Sequence, residues 1–563
     1  MAKTMGIGIQ NFEKVITNHC FYVDKSYFIR EWWENQDEVT LITRPRRFGK
    51  TLNMSMLERF FSLEYKEQGQ VFEGLSIWED EKYQRLQGTC PVIALSFADV
   101  KEATFHETRK KICQLLKMTC DKYGFLLEGT VLSESEKEDF RRISMDMGNS
   151  EASLSLKMLS VYLSRYYGKK VIILLDEYDT PIQEAYIHGY WDELANFIRS
   201  LFNSTFKTNP GLDRAVMTGI TRVSKESIFS DLNNLEVVTA TSGKYETAFG
   251  FTRQEVRAAL EEYGLSDQEE HVKAWFDGFT FGRSSDIYNP WSIINYLDKK
   301  VLSTYWANTS SNHLAGKLIR EGNPDIKEAM EELLKGNSLF REIDEQIVFS
   351  QLEHNEAAIW SLFVAGGYLK VKGHGVDAES GKEEYELSLT NKEVRIMFEK
   401  MIRDWFGQSA REYNGFIKAM LLGDLKAMNG YMNRIALTTF SYFDTGNRPS
   451  GAEPERFYHG FVLGLMVELA DRYVITSNRE SGFGRYDVML KPRSVQDNAV
   501  ILEFKVHDPE DEKDLRDTVK AALKQIEAKN YKAALMAEGI RENRIRNYGF
   551  AFEGKKVLIG DKF

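Results

Sequence analysis

Residues 38–57 constrain this chain more than any other stretch. They read Glu-Val-Thr-Leu-Ile-Thr-Arg-Pro-Arg-Arg-Phe-Gly-Lys-Thr-Leu-Asn-Met-Ser-Met-Leu. The run from Val39 to Thr43 is apolar and β-branched, the composition of a buried strand. Pro45 and Gly49 then turn the chain, and Leu52, Met56 and Leu57 fall on one face of a helix. Strand, turn and helix with Gly49-Lys50-Thr51 at the junction is the setting of a phosphate-binding loop. Backbone N–H groups at the helix start would point at an anion, and the helix dipole would favour it. Lys50 is expected to reach the outer phosphates and Thr51 to hold Mg²⁺, with Arg46, Arg47, Phe48 and Gly49 completing the loop. The usual loop opens with a glycine where Arg44 stands, so three arginines make this one unusually cationic. Alone, the stretch also reads as a solvated basic turn before a helix.

A second stretch supports the first reading. Val171-Ile-Ile-Leu-Leu-Asp-Glu-Tyr-Asp is a strand buried on both faces, as in a parallel sheet. Asp176 and Glu177 close it at the carboxyl end, where open α/β sheets bind ligands. Asp176 would serve the magnesium, and Glu177 would orient or polarise an attacking water. The alternative is a strand-end acid that caps the next element. A further strand, over residues 214–222, ends in Thr218, placed to sense a γ-phosphate. Beyond it Arg222 is placed to offset transition-state charge, unless it is a plain surface arginine.

Length bounds the rest. A chain of 563 residues is too long for one core. The expected division is a P-loop domain over 1–240, a helical lid over 241–345, a winged-helix-like segment over 346–395 and a second α/β domain over 396–563. Strands and helices alternate through residue 240, which implies a mainly parallel sheet. No apolar run reaches membrane-spanning length. Four cysteines without metal-ligand spacing fit a reducing cytoplasm. A net charge of −11 confines any DNA or RNA contact to local basic patches. Phe12, Tyr22 and Tyr27, ahead of the loop, would either pack on a base or belong to the core.

The last third carries another constellation. Gly-Arg-Tyr-Asp-Val-Met-Leu, residues 484–490, and Ala-Val-Ile-Leu-Glu-Phe-Lys-Val, residues 499–506, read as strands. Side chains alternate along a strand, so Glu503 and Lys505 share a face. Asp487 and Glu503 offer hard oxygens to Mg²⁺ or Mn²⁺, and Lys505 would activate water and offset phosphate charge. An unpaired charge among these apolar residues would be costly, which favours a paired or metal-linked role over a plain strand-end salt bridge. Gln525 on the following helix, Glu455, His459 and Glu480 are further candidates.

With both sets of residues in view, the chain resembles a bacterial family that joins an AAA-type ATPase-like domain to a C-terminal PD-(D/E)XK nuclease-superfamily domain. The resemblance rests on Tyr22-Val-Asp-Lys25, Thr43-Arg-Pro-Arg-Arg-Phe-Gly-Lys-Thr51, Leu174-Leu-Asp-Glu-Tyr-Asp179 and Thr218-Gly-Ile220. It continues through Tyr288-Asn-Pro-Trp291, Ser477-Asn-Arg-Glu-Ser-Gly482, Arg485-Tyr-Asp487 and Leu502-Glu-Phe-Lys505. It implies an ATP-hydrolysing protein coupled to a metal-dependent nuclease acting on DNA or RNA, with ATP and Mg²⁺ as cofactors. A homo-oligomer formed through the ATPase domain and a role in defence or mobile-element biology are associated expectations. The rival expectation is a nucleotide switch that binds a protein partner and whose nuclease-like domain is non-catalytic.

Overall fold

The computed structural model describes residues 3–221, 228–229, 232–307, 313–321, 324–343, 356–376, 383–405, 410–439, 469, 472–481, 484–494, 497–509 and 511–561. The chain forms two compact units. One comprises residues 1–321 and 332–395, the other residues 322–331 and 396–563.

In the first unit five parallel strands form the expected sheet. They are β1 (Val39–Thr43), β2 (Val92–Ser96), β3 (Val171–Asp176), β4 (Leu212–Gly219) and β5 (Leu235–Val238), in the order β2-β3-β4-β1-β5. Every residue of β1 and β3 is buried, which explains why both read as unbroken apolar runs. On one face Ile42, Ile172, Leu174 and Val216 pack against Met54, Leu57 and Phe61 of the Lys50–Phe61 helix. The helices Asn149–Tyr167 and Trp191–Phe206 belong to the same unit, the former in contact with β3 and β4. β4 lies between β1 and β3, so the loop after β1 and the acids after β3 meet across the end of β4.

Residues 241–345 are not a purely helical lid. They contain an antiparallel sheet of β6 (Phe251–Thr252), β7 (Phe279–Phe281) and β8 (Ser284–Tyr288), ordered β6-β8-β7. The hairpin of β7 and β8 has a local cause, and its pairing with β6 a tertiary one. Phe-Thr-Phe alternates, and Gly282 takes a positive φ of 55° that turns the chain back. Capped helices surround it, including Pro290–Lys299, whose N-cap Asn289 accepts from the N–H groups of Trp291 and Ser292. Farther on, β9 (Leu339–Arg341), the helix Glu356–Ala365, β10 (Leu369–Val376) and β11 (Glu383–Leu389) follow in the chain, and the three strands form a sheet ordered β10-β11-β9.

The second unit holds β12 (Tyr473–Ser481), β13 (Gly484–Pro492), β14 (Ala499–Val506), β15 (Ile545–Glu553) and β16 (Lys556–Gly560), in sequential order. Only β14 and β15 run parallel; the helix Leu515–Ala528 lies between them in the chain. Alternation splits β13 and β14 between two cores. Val488, Leu490, Val500, Leu502 and Phe504 face the helices Ala410–Leu422 and Leu425–Thr439. Met489, Ala499 and Ile501 face Val519, Leu523 and Ile526 of the Leu515–Ala528 helix.

Candidate active sites

The loop after β1 turns tightly, with Arg47 at φ 65° and Gly49 at φ 82°. Lys50, almost fully buried at the start of its helix, donates to the carbonyls of Arg44 and Pro45 at 3.0 Å each. Its ammonium lies 3.7 Å from Glu177 Oε1. Thr51 Oγ1 donates to Asp176 Oδ2 at 2.7 Å, and the Thr218 hydroxyl donates to Asp176 Oδ1. Thus one carboxylate at the end of β3 is held by a hydroxyl from the loop and a hydroxyl from β4. Thr218, expected at a γ-phosphate, here touches Asp176.

Glu177 sits in the left-handed region at φ 52°, a conformation that costs about 1–3 kcal/mol for a non-glycine residue and persists only where its surroundings enforce it. Burial alone would raise its carboxyl pKa. Lys50, Arg46, the Thr180 hydroxyl and Lys101 outweigh that and hold it below the usual value. Asp176 behaves oppositely: burial lifts it, and Thr218 and Thr51 offset that only in part. The two adjacent acids are therefore shifted in opposite directions, the pattern expected where environments separate catalytic groups. Two hydroxyls and a carboxylate are hard oxygen donors that fit Mg²⁺.

Arg44 overturns one expectation. Its charge is turned away from any ligand of the loop, because its side chain is fully buried. Its guanidinium donates to the carbonyls of Thr43 at 2.8 Å and Thr239 at 2.9 Å, and lies 4.4 Å over the Phe281 ring. Burial pulls its pKa down to about 9. Phe48 is likewise turned inward, its ring 4.7 Å from Phe279 and 5.5 Å from Phe281. Phe12 stacks on Phe72 in the core, and the Tyr27 hydroxyl bonds Thr247. Arg222 lies outside the described residues.

The loop opens into a cavity of about 370 Å³. Its lining combines charged residues, Arg46, Lys50, Lys101 and Glu177, with an apolar set of Ile7, Ile9, Phe21, Val23, Phe251 and Ile294. Tyr22 also lines it, and so does Trp291, whose ring carries Arg47 4.4 Å above it. Sequence reasoning missed most of the apolar lining. Gly6 and Gly8, both at positive φ, were a visible signal of a shaped turn there.

In the second unit Val488 pairs with Leu502, so the next residues along, Asp487 and Glu503, neighbour each other across the strands. Both lie on the face covered by the Leu515–Ala528 helix, and Lys505 shares that face. Asp487 Oδ2 accepts from the backbone N–H of Phe504 at 2.7 Å, which fixes its carboxylate beside β14. Glu503 is buried and accepts from the Gln525 amide. Gln525 also reaches the Tyr531 hydroxyl at 3.5 Å. Burial raises the Tyr531 pKa, and Glu503 and Asp487 add to the rise. Two neighbouring carboxylates suit Mg²⁺ or Mn²⁺, ions that keep several waters of their own. No group of three or more acidic, histidine or cysteine ligands occurs among the described residues. Glu455 and His459 lie outside them.

Comparison with known proteins decides what the two sites belong to. Residues 6–229 match a predicted AAA-ATPase family model and residues 453–562 match the PD-(D/E)XK nuclease superfamily. The chain joins an AAA-ATPase-like domain to a PD-(D/E)XK nuclease-superfamily domain. The first match contains the loop at Lys50 and the acids after β3. The second contains Asp487, Glu503 and Lys505. A protein of Azotobacter chroococcum mcd 1, named only as an uncharacterized protein in the vnfD 5'region, is 26% identical over 397 residues, covering 70% of this chain and 68% of its own. No described helix of the chain is long and apolar enough to cross a membrane.

Proposed function

We propose that this chain hydrolyses ATP and couples that reaction to metal-dependent cleavage of nucleic-acid phosphodiesters. The observation that carries the reading is the presence, within one chain, of a cavity lined by Lys50, Thr51 and Glu177 with Asp176 bonded to Thr51 behind it, and of Asp487 and Glu503 on neighbouring strands.

In the ATPase-like domain the backbone N–H groups after Gly49 and the Lys50 ammonium would take the outer phosphates. The base would pack on the apolar lining of the cavity, beside Trp291. Thr51 and Asp176 would hold Mg²⁺, which supplies charge neutralisation at the phosphates. Glu177, kept ionised beside Lys50, would orient the attacking water. Thr218 would fix Asp176 from the far side.

In the nuclease domain Asp487 and Glu503 would hold the divalent cation, which acts as Lewis acid at the scissile phosphate. Gln525 would keep Glu503 oriented, and Lys505 would stand beside the attacking water and offset charge building on the phosphate. The superfamily match supports a nucleic acid as substrate.

The test is cleavage of mixed DNA and RNA substrates with Mg²⁺ or Mn²⁺, with and without ATP. Asp487→Ala should abolish cleavage and spare ATP hydrolysis, whereas Lys50→Ala should abolish hydrolysis. Cleavage that survives Asp487→Ala would remove the nuclease assignment.

A further inference from the structure

Two acids follow β3 in the Asp-Glu-Tyr-Asp run, and the mechanism above leaves Asp179 unused. It is fully buried, two residues past Glu177 and at the entrance of the Thr180–His188 helix. Its Oδ2 atom gathers four donors. They are the backbone N–H groups of Ile220 at 3.0 Å and Thr221 at 2.9 Å, the Thr221 hydroxyl at 2.9 Å and the Gln183 amide at 2.9 Å. The first three belong to the segment that leaves β4 after Gly219, two residues past Thr218. The fourth donor, Gln183, accepts at its Oε1 from Arg46 of the phosphate-binding loop at 3.3 Å.

The residue between the two acids repeats the tie. Tyr178 N–H donates to the Thr218 carbonyl at 3.0 Å, and its hydroxyl donates to the Thr221 carbonyl at 2.7 Å. Gly219 has no room for a side chain, because a Cβ there would lie 2.6 Å from the Tyr178 ring and 2.7 Å from Asp179 Oδ1. So residues 177–179 and 218–221 are closed on each other without slack. Glu177, which needs an enforced backbone to hold its positive φ, stands at the front of this clasp.

We propose that Asp179 is a positioning residue for ATP hydrolysis: its carboxylate locks the exit of β4 to the turn bearing Glu177 and, through Gln183, to Arg46. It touches neither nucleotide nor water. It sets where Glu177 and Thr218 stand relative to the phosphates, and it would carry a shift of Arg46 to both. This inference rests on the ATPase reading of the first site.

The experiment measures nucleotide affinity and steady-state ATP hydrolysis separately, on the full-length protein. Wild type is compared with Asp179→Asn, Thr221→Ala, Thr221→Ser and Gln183→Ala, each checked for folding by its melting temperature. Asn keeps the shape and one acceptor oxygen, but it removes the negative charge that gathers the four donors on Oδ2 and puts an NH2 group where Oδ1 is buried without a hydrogen-bond partner. The expected result is a kcat loss of tenfold or more in Asp179→Asn, with ATP affinity changed less than threefold. Thr221→Ala and Gln183→Ala should show smaller losses of the same kind, and Thr221→Ser, which keeps the hydroxyl, should recover most of the kcat. An unchanged kcat, or affinity falling in step with kcat, overturns the inference. If Asp179→Asn does not fold, the Thr221 pair decides: equal rates in Ala and Ser overturn it. A wild type that hydrolyses no ATP overturns the ATPase reading itself, and this inference with it.

Discussion

Arg44 stands where phosphate-binding loops usually carry glycine, so Arg44→Gly tests what the structure says about it. If the side chain were a phosphate ligand or an impediment, glycine would change nucleotide binding and leave stability alone. The geometry predicts the reverse. Two hydrogen bonds, at 2.8 and 2.9 Å to the carbonyls of Thr43 and Thr239, tie the end of β1 to the end of β5. Bonds to a charged donor contribute about 1.5–3 kcal/mol each, so roughly 3–6 kcal/mol gross is removed. The guanidinium over Phe281 at 4.4 Å adds roughly 0.5–2 kcal/mol. Opposing this, removing a buried charge relieves a desolvation cost large enough to pull the arginine pKa to about 9. The balance is a loss of about 2–4 kcal/mol, within the range of severe single substitutions. Hydrogen exchange of the β1 and β5 amides is the assay, because it reads that sheet apart from the nuclease domain. Protection should fall about 30- to 1000-fold, the same free energy expressed as a ratio. Arg44→Lys should fall nearly as far, since an ammonium lacks the planar fork and the stacking face. Protection within twofold of wild type, together with tighter ATP binding, would refute the assignment.

Other expectations follow from the same geometry. Trp291→Ala should weaken ATP binding about 5- to 100-fold, from the roughly 1–3 kcal/mol of base–aromatic stacking, with kcat at saturating ATP little changed; titration with a fluorescent nucleotide checks it. Gly219→Ala should destabilise the ATPase-like domain by about 1–3 kcal/mol through overpacking against Tyr178 and Asp179, read as a lowered urea midpoint. Asp277 is pushed up to about 6 by burial first and then by the facing Asp286. The folded chain therefore keeps a proton there that the unfolded chain has released. That contribution to stability is full below about pH 4 and is lost as pH rises through 6. Exchange protection across β7 and β8 should fall between pH 4.5 and 7, and Asp277→Asn should flatten the slope. Chelation of divalent ions should abolish nucleic-acid cleavage without lowering the melting temperature of Glu503→Ala, which has already lost a metal ligand.

The two stretches most readable in the sequence, residues 38–57 and 171–179, are those whose local and tertiary requirements coincide. A strand buried on both faces must be apolar throughout, and a phosphate-binding turn must carry glycine and lysine at its end. The same holds for β14, where apolar neighbours left Glu503 and Lys505 conspicuous. Arg44 was misread because loop position predicts exposure, whereas the four carbonyls it gathers come from residues 43, 239, 244 and 245. The helical lid was misread for a similar reason: aromatic clusters at 276–291 suit a buried helix or a strand, and only pairing with Phe251 and Thr252 makes β8 the centre of a sheet.

By itself, then, the sequence determined the buried strands of the two matched domains and the residue types that stand on them. Periodicity and composition act through neighbours a few residues apart, and polar side chains stand out where such patterns end, as after β3, or are interrupted, as within β14. The tertiary structure decided which of those side chains meet. The insertion of β4 between β1 and β3 brings Thr218 to Asp176, and the pairing of β13 with β14 brings Asp487 beside Glu503. It also decided the walls of the cavity, drawn from residues 5–25, 46–53, 98–101, 177–180 and 248–294, and the surroundings of Arg44 and Asp179. Contacts between residues so far apart depend on strand order and register, and no local pattern encodes either.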